Sequence, residues 1–387
     1  MNKIELCDYR NCTQCYACVY SCAKGAIIMV DSCDGFKIPH IDESVCVGCG
    51  ACVKSCHRLN GGVNYQKPLK TLACWTKNQK DREKSSSGGA FSVLARKVLG
   101  AGGVVYGASM DENLKVRHIG IENASDLILL QGSKYLQSYL GDIYKQVKVQ
   151  LQGGRQVLFS GTPCQVAGLL TYLKRKYDNL LTCDVVCHGV PSQEAFDVYV
   201  EKNGISKNSK YLNFRYTKGW GMQMSTQASH PKETDSKVRP LSPTKNYYFR
   251  AFDKGLMFSE ACYSCAYARP ERVGDISLAD FWGIGSKIPF AHPIQKGISM
   301  MLVNNEKADR FVSECSDLYS EERTLEEAIE GNHNLSKTSN RPKGRDSYFE
   351  DLKNMSVKGL CRKYNLAPSL RDYLRFTKQI LKAYFER

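Results

Sequence analysis

The sequence predicts a small α+β unit, then a larger mixed α/β body, then a helical tail. Three observations lead there. Residues 12–56 contain an internal cysteine repeat that would knit a small unit around metal. The middle of the chain alternates apolar runs of strand length with glycine or proline turns and helix-period runs. From Lys307 onward the pattern turns charged and mostly helical. At 387 residues the chain is long enough for two or three domains, and 42% hydrophobic with 24% charged residues is ordinary globular composition.

The repeat reads CTQCYACVYSC and then CVGCGACVKSC. Each half is C-x2-C-x2-C-x3-C, the pattern of a ferredoxin-like domain with two 4Fe–4S clusters. Three close thiolates wrap one cubane, and the fourth points away to the other. Cys12, Cys15, Cys18 and Cys56 are therefore expected on one cluster, and Cys46, Cys49, Cys52 and Cys22 on its twin. A zinc site or a disulfide framework would not need so regular a repeat. The usual proline after the fourth cysteine is Ala23 in one half and His57 in the other. This unit is expected to span 1–62, with IIMV and the segment before Cys46 as short strands.

Lys67-Pro68 marks a boundary, after which LKTLACWTK reads as a strand. A polar, glycine-rich stretch then leads into a helix-period run from Ala90 to Leu99. GGVVYGAS and LKVRHIGIE read as a strand pair, followed by a helix from about Leu140 to Leu151. QVLFS is a strand that Gly161 breaks. Pro163 suits the first turn of a helix running to about Lys176, and LLTCDVVCHG is the next buried strand. Residues 207–250 suggest short strands around a polar insertion, ASHPKETDSKVRPLSP, expected as a surface loop. GDISLADFWG carries another apolar strand, and 369–386 form a last basic amphipathic helix. After the first unit, 68–152 and 153–320 are expected as the N-terminal and C-terminal parts of one larger domain, with a helical tail over 321–387.

Beyond the repeat, Cys262 and Cys265 form a CxxC. Cys164 follows a Gly-Thr-Pro turn at a strand end, and Cys187 ends the next strand. Loops at the carboxyl ends of strands converge on ligands in open α/β sheets, so these four are expected to hold a third 4Fe–4S cluster. Cys183 is the nearest rival, and buried structural thiols beside a chance CxxC are the plainer alternative. SSSGGAF before a helix supplies N–H donors for a phosphate, as a flavin nucleotide needs, although a flexible linker would look the same. QGSKY adds a lysine and hydroxyls. His188 suits a turn more than a proton donor. Asp275, Asp280 and Trp282 lie on an apolar strand and its exit, while Arg269 and Arg272 either touch an anionic cofactor or face water.

Composition sets further bounds. The formal charge of +15 falls to roughly +11 or +9 when two or three clusters at about −2 each are counted, which still suits an acidic redox partner. There is no basic run or nucleic-acid motif, and no apolar run of membrane-spanning length, so neither nucleic-acid binding nor membrane insertion is expected. Eighteen cysteines with no apolar leader ahead of the first motif suggest a reducing, cytoplasmic setting. No dinucleotide-binding glycine fingerprint follows a strand.

KSSSGGAF, QGSKYLQS, FSGTPCQVAGL, VCHGVPS, CYSCAYARPERVGDISLADFWG and NHNLSKTSNRPKGRDSYF together resemble the family of coenzyme F420 hydrogenase/dehydrogenase beta subunits. Its members often carry a fused N-terminal ferredoxin domain, and the resemblance runs from residue 1 to about 350. It implies an FAD-containing iron–sulfur oxidoreductase that exchanges a hydride with an organic substrate and single electrons with its clusters. The family's glycine-rich loop falls on Ser86, Ser87, Gly88 and Gly89. Its flavin-contacting stretch falls on Gln131, Gly132, Ser133 and Lys134, and its GTPCQ turn on Gly161, Thr162, Pro163, Cys164 and Gln165. Its C-terminal cluster cysteines match Cys164, Cys187, Cys262 and Cys265. Many bacterial relatives occur with polysaccharide genes, so the deazaflavin coenzyme does not follow as the substrate. The expected partner is a ferredoxin or another redox protein. The same clusters would also serve a non-catalytic electron-transfer subunit docked to a separate enzyme.

Overall fold

The structure is a computed structural model and describes residues 4–385, apart from 206, 208, 216–221 and 233–237. In the first unit β1 (Ile27–Asp31) pairs antiparallel with β2 (Lys37–Ile41). Two short helices, Ala17–Ser21 and Ala51–Lys54, carry the third cysteine of each half, Cys18 and Cys52.

The body is built on one eight-stranded sheet. In chain order its strands are β3 (Lys70–Thr76), β4 (Val104–Met110), β5 (Val116–Ile121), β6 (Val157–Gly161) and β7 (Leu180–Val185). After a small three-stranded sheet of β8 (Tyr211–Asn213), β9 (Ser225–Gln227) and β10 (Arg239–Pro240), it is completed by β11 (Ile276–Asp280), β12 (Ser299–Val303) and β13 (Leu318–Arg323). The order across the large sheet is β13-β3-β12-β11-β7-β6-β4-β5. The centre, β11-β7-β6-β4, is parallel, and the flanks are antiparallel.

Helices cover both faces, which explains why the central strands are continuously apolar rather than alternating. Leu158 packs toward helix Ala90–Gly100. Its neighbours Val157 and Phe159 pack toward helices Ile143–Gln152 and Pro163–Leu173 on the other side. A second large core beneath the three-stranded sheet is aromatic, with Phe196, Tyr199, Phe214, Tyr248 and Phe249 buried together. Among the described residues no helix is long and apolar enough to cross a membrane.

Two differences from the sequence reading have a physical reason. Leu318–Arg323 lies in the stretch expected to be mostly helical, yet it is β13, an edge strand pairing with β3. Edge strands carry charge to discourage further pairing, and LYSEER consequently lacks a strand's apolar signature. The expected boundary at 320 falls inside β13. Residues 68–152 and 153–320 share the sheet as parts of one body, since β4 and β6 are neighbours. The polar insertion at 228–243 lies partly outside the described residues.

Candidate functional site

The carboxyl ends of β6, β7 and β11 meet at one end of the sheet, and the amino end of β12 lies beside them, since Asp280 pairs with Ser299. The loops leaving this edge carry most of the candidate residues.

In the ferredoxin unit one small cavity is lined by Cys12, Cys15, Cys18 and Cys56. Cys7 joins them there, a cysteine outside the repeat that the sequence reading did not single out. Cys22 and Cys46 are the thiols acting on Cys52, so the fourth cysteine of each half faces the other half. Cys12 and Cys15 are buried, whereas Cys49 is exposed. Burial pushes the Cys12 thiol up to about 11 and the Cys15 thiol to about 12, so iron must displace their protons on binding.

Cys164, Cys187, Cys262 and Cys265 form a second gathering. Cys164 and Cys265 act on Cys187, and all three act on Cys262. Cys164 sits in the first turn of helix Pro163–Leu173, which Thr162 and Gln165 close with a capping box; Thr162 N–H donates to Gln165 Oε1 at 3.0 Å. Thr162 Oγ1 lies 3.1 Å from Cys164 Sγ. Cys183, the rival, stays inside β7 in the core under helix Ala90–Gly100. Among the described residues no three His, Cys, Asp or Glu side chains converge on a single metal ion. Thiols around a cubane, one per corner, stand farther apart than such a site requires.

The CxxC loop is fixed from behind. Arg272, only 2% exposed, donates from Nη1 to Tyr267 O at 2.9 Å and from Nη2 to Asp184 Oδ1 at 2.7 Å. Gly274 N–H donates to the other Asp184 oxygen at 2.9 Å. Arg272 thus does not face water; it holds the loop to β7, and its charge also acts on the Cys187 and Cys265 thiols. Arg269 pairs with Glu271 at 3.1 Å and lies over the Tyr65 ring. Asp275 accepts from Thr182 N and Oγ1 at 2.7 and 2.8 Å, also a bracing role.

The two thiol groups adjoin. Cys15 is among the groups acting on Cys164, and Cys15, Cys164 and Cys265 all act on Tyr267. The Tyr267 hydroxyl is hydrogen-bonded to His57 Nδ1 at 2.6 Å, and His57 Nε2 lies 3.1 Å from Thr13 Oγ1.

Cys164 and Cys187 also form part of the wall of a cavity of about 480 Å³, a size typical of small-molecule and cofactor sites. Ser86, Ser87, Gly89, Gln131, Gly132, Ser133, Lys134, Gly161 and Thr162 line it as well. Gly88 and Pro163 do not. A Cβ on Gly88 would meet Cys74 O at 2.4 Å and Ser299 N at 2.7 Å, so this glycine lets the loop press against the backbones of β3 and β12. Pro163 is buried at the start of its helix.

The two loops on the far wall are stitched together, Ser133 N–H donating to Ser86 Oγ at 2.7 Å. Helix Ala90–Gly100 opens into the cavity behind Gly89 with no side-chain cap, leaving N–H groups and a positive helix end for an anion. Lys134 donates to Gln131 O at 2.9 Å and Leu129 O at 3.2 Å, and no carboxylate pairs with it among the described residues. Burial brings its ammonium down to about 7.

His118, missed in an alternating strand, also reaches the wall. Its Nε2–H donates to Ser160 O at 2.9 Å, and its Nδ1 accepts from Ser138 Oγ at 2.7 Å. Burial lowers it to about 4, so it stays neutral. His188 faces the cavity as well and is likewise lowered to about 4 by burial. Asp280 is bridged to the buried Arg215 at 2.9 Å, and Arg215 lies over the Trp282 ring.

Comparisons with known proteins bear on two stretches of the chain. Residues 11–58 match the 4Fe-4S dicluster domain. Residues 154–328 match the family described as the C terminus of the coenzyme F420 hydrogenase/dehydrogenase beta subunit. A search of curated protein sequences gives no match. Among solved structures the chain is similar to one from the F420-reducing nickel–iron hydrogenase complex of Methanosarcina barkeri in its xenon derivative. The two are 14% identical, with 77% of this chain and 92% of that chain covered at a TM-score of 0.47. Residues 154–328 are thus a C-terminal domain of the coenzyme F420 hydrogenase/dehydrogenase beta subunit type, and residues 11–58 a 4Fe–4S dicluster domain of the electron-transfer type.

Proposed function

We propose that the chain is an iron–sulfur flavoprotein oxidoreductase in which electrons pass in series from the dicluster domain through a third cluster to a flavin. The observation that carries this is one juxtaposition. Cys15 adjoins Cys164, while Cys164 and Cys187 line the same cavity as the Ser86 and Ser133 loops. Cys164, Cys187, Cys262 and Cys265 would hold the third cluster, since four thiols facing one another suit one thiolate per corner. FAD would be held by Ser86, Ser87, Gly89, Gln131, Gly132, Ser133 and Lys134, with Gly161 and Thr162 on the opposite wall.

A bound flavin supplies the switch, because it exchanges a hydride with an organic substrate and single electrons with clusters. The protein's own part is positioning and exclusion. The uncapped helix end and Lys134 attract the anionic part of the cofactor. Neutral His118 presents no charge to the cavity, and Val186, Leu278 and Phe252 keep its inner wall apolar. Arg272 and Asp184 keep the CxxC loop from drifting when charge at the thiols changes. A ferredoxin or another small acidic redox protein is the partner at the exposed Cys49 side. Eighteen free thiols suit a reducing compartment such as the cytoplasm.

Anaerobic reconstitution followed by iron and flavin analysis tests the reading. About 12 irons and one FAD per chain are expected. The double variant Cys262→Ala/Cys265→Ala should lose about four irons. An unchanged iron count would remove the third cluster. Wild type that never binds flavin would leave an electron-transfer subunit in place of an enzyme.

A further inference from the structure

Five thiols line the inner cluster cavity, where a cubane has four iron corners. Cys7 is the surplus one, beside Cys12, Cys15, Cys18 and Cys56. It does not belong to the repeat. The offset between the halves is 46 − 12 = 34 residues, which carries Cys7 onto Ile41, so the outer site has no counterpart in sequence.

Its position is built by named contacts. Asp8 folds the segment back: Oδ1 accepts from Arg10 N at 2.9 Å and Asn11 N at 3.2 Å, and Asp8 O accepts from Cys12 N at 2.8 Å. Arg58, two residues after Cys56, donates from Nη2 to Asn11 Oδ1 at 3.0 Å and from Nε to Asn11 O at 3.2 Å. The turn carrying Cys7 is thereby tied to the segment carrying Cys56, and both thiols face the one cavity. Leu6, Met29 and Pro39 close the cavity around them with apolar surface.

We propose that Cys7 is a reserve ligand of the inner cluster, able to take the iron corner that Cys56 holds. The exchange needs neither electrons nor a co-reactant. The iron–sulfur bond to Cys56 breaks, one to Cys7 forms, and the proton of the Cys7 thiol passes to the Cys56 sulfur. Arg58 favours the thiolate at Cys56, whereas Asp8 opposes one at Cys7, so Cys56 is the ordinary ligand and Cys7 the reserve. A corner served by two sulfurs keeps its iron through an event that strips one of them. The outer cluster, whose fourth ligand is Cys22, lacks that protection.

The inference rests on Cys12, Cys15, Cys18 and Cys56 being the inner ligands, so Cys12→Ala is the control for that assignment. Reconstituted full-length variants are compared by iron, acid-labile sulfide and electron paramagnetic resonance of the reduced clusters. Cys7→Ala should keep all its iron. Cys56→Ala should also keep it, with shifted g-values for one cluster, whereas Cys7→Ala/Cys56→Ala and Cys22→Ala should each lose about four irons. The proposal is overturned if Cys56→Ala alone loses as much iron as the double variant, if the double variant loses none, or if Cys7→Ala alone loses a cluster. Retention of full iron by Cys12→Ala would instead sink the underlying ligand assignment.

Discussion

The two halves of the cysteine repeat make the same backbone turns with different residues. In the outer half Gly48 and Gly50 take the left-handed conformation, at φ of 68° and 69°. At the equivalent positions of the inner half stand Gln14 and Tyr16, at φ of 52° and 64°. A side chain in that region costs roughly 1–2 kcal/mol. The inner half tolerates this because both residues are buried against the body. Gln14 Nε2 donates to Cys12 O at 2.8 Å and to Ser259 Oγ at 3.0 Å, and the Tyr16 ring meets Tyr139 edge-on at 5.6 Å. The outer half has no such support, with Val45 at 42% and Val47 at 53% exposure beside Cys46 and Cys49. One half is therefore shaped by docking and the other by access, as expected if the inner cluster hands electrons inward and the outer one meets a partner.

The largest way to break this contrast is to undock the inner unit. Arg345 pairs with the buried Asp34, which also accepts from the Tyr9 hydroxyl, and so ties the C-terminal segment to the ferredoxin hairpin. Arg345→Met strands a buried carboxylate and should cost about 3–5 kcal/mol, read as a lower denaturant midpoint and faster proteolysis within 1–62. Asp34→Asn/Arg345→Met should recover part of that loss.

Next comes Gly168, where helix Pro163–Leu173 meets Cys15. A Cβ there would stand 2.8 Å from Cys15 Cβ, 3.0 Å from its sulfur and 2.9 Å from the Tyr144 hydroxyl. Gly168→Ala should cost about 1–3 kcal/mol. Its spectroscopic damage should fall on the inner cluster, and equal loss from both clusters would erase the asymmetry.

Gly50→Ala isolates strain in the outer half, because nothing stands within 4 Å of the added Cβ. A loss of about 1–2 kcal/mol confined to the outer cluster is expected. No loss would mean that the glycines there are incidental. The smallest stability effect belongs to Val47→Asp, within about 0.5 kcal/mol, since the side chain is solvent-facing. That variant should nevertheless slow reduction by an acidic ferredoxin, with the defect shrinking as salt rises. An unaltered rate would move the docking surface elsewhere.

What could be read before folding depended on how locally each signal was written. The repeat announces itself because iron–sulfur ligation fixes cysteine spacing within a few residues. The strand, turn and helix at QVLFSGTPCQ were legible because Gly161 and Pro163 punctuate them. The gathering of Cys164, Cys187, Cys262 and Cys265 needed topology as well, since parallel β6, β7 and β11 bring distant segments to one edge. Cys7 was invisible because only the Asp8 turn and Arg58 bring it to Cys56. Arg272 read as a surface or cofactor contact because its buried partner, Asp184, lies 88 residues away. β13 was hidden by its own edge charges.

The relay itself is tested most directly by following flavin reduction with reduced ferredoxin in the Cys262→Ala/Cys265→Ala variant by stopped flow. If electrons run from the inner cluster through the Cys164 group, both dicluster signals should still reduce, while flavin reduction falls by orders of magnitude. Flavin reduction at the wild-type rate in that variant would contradict the series arrangement.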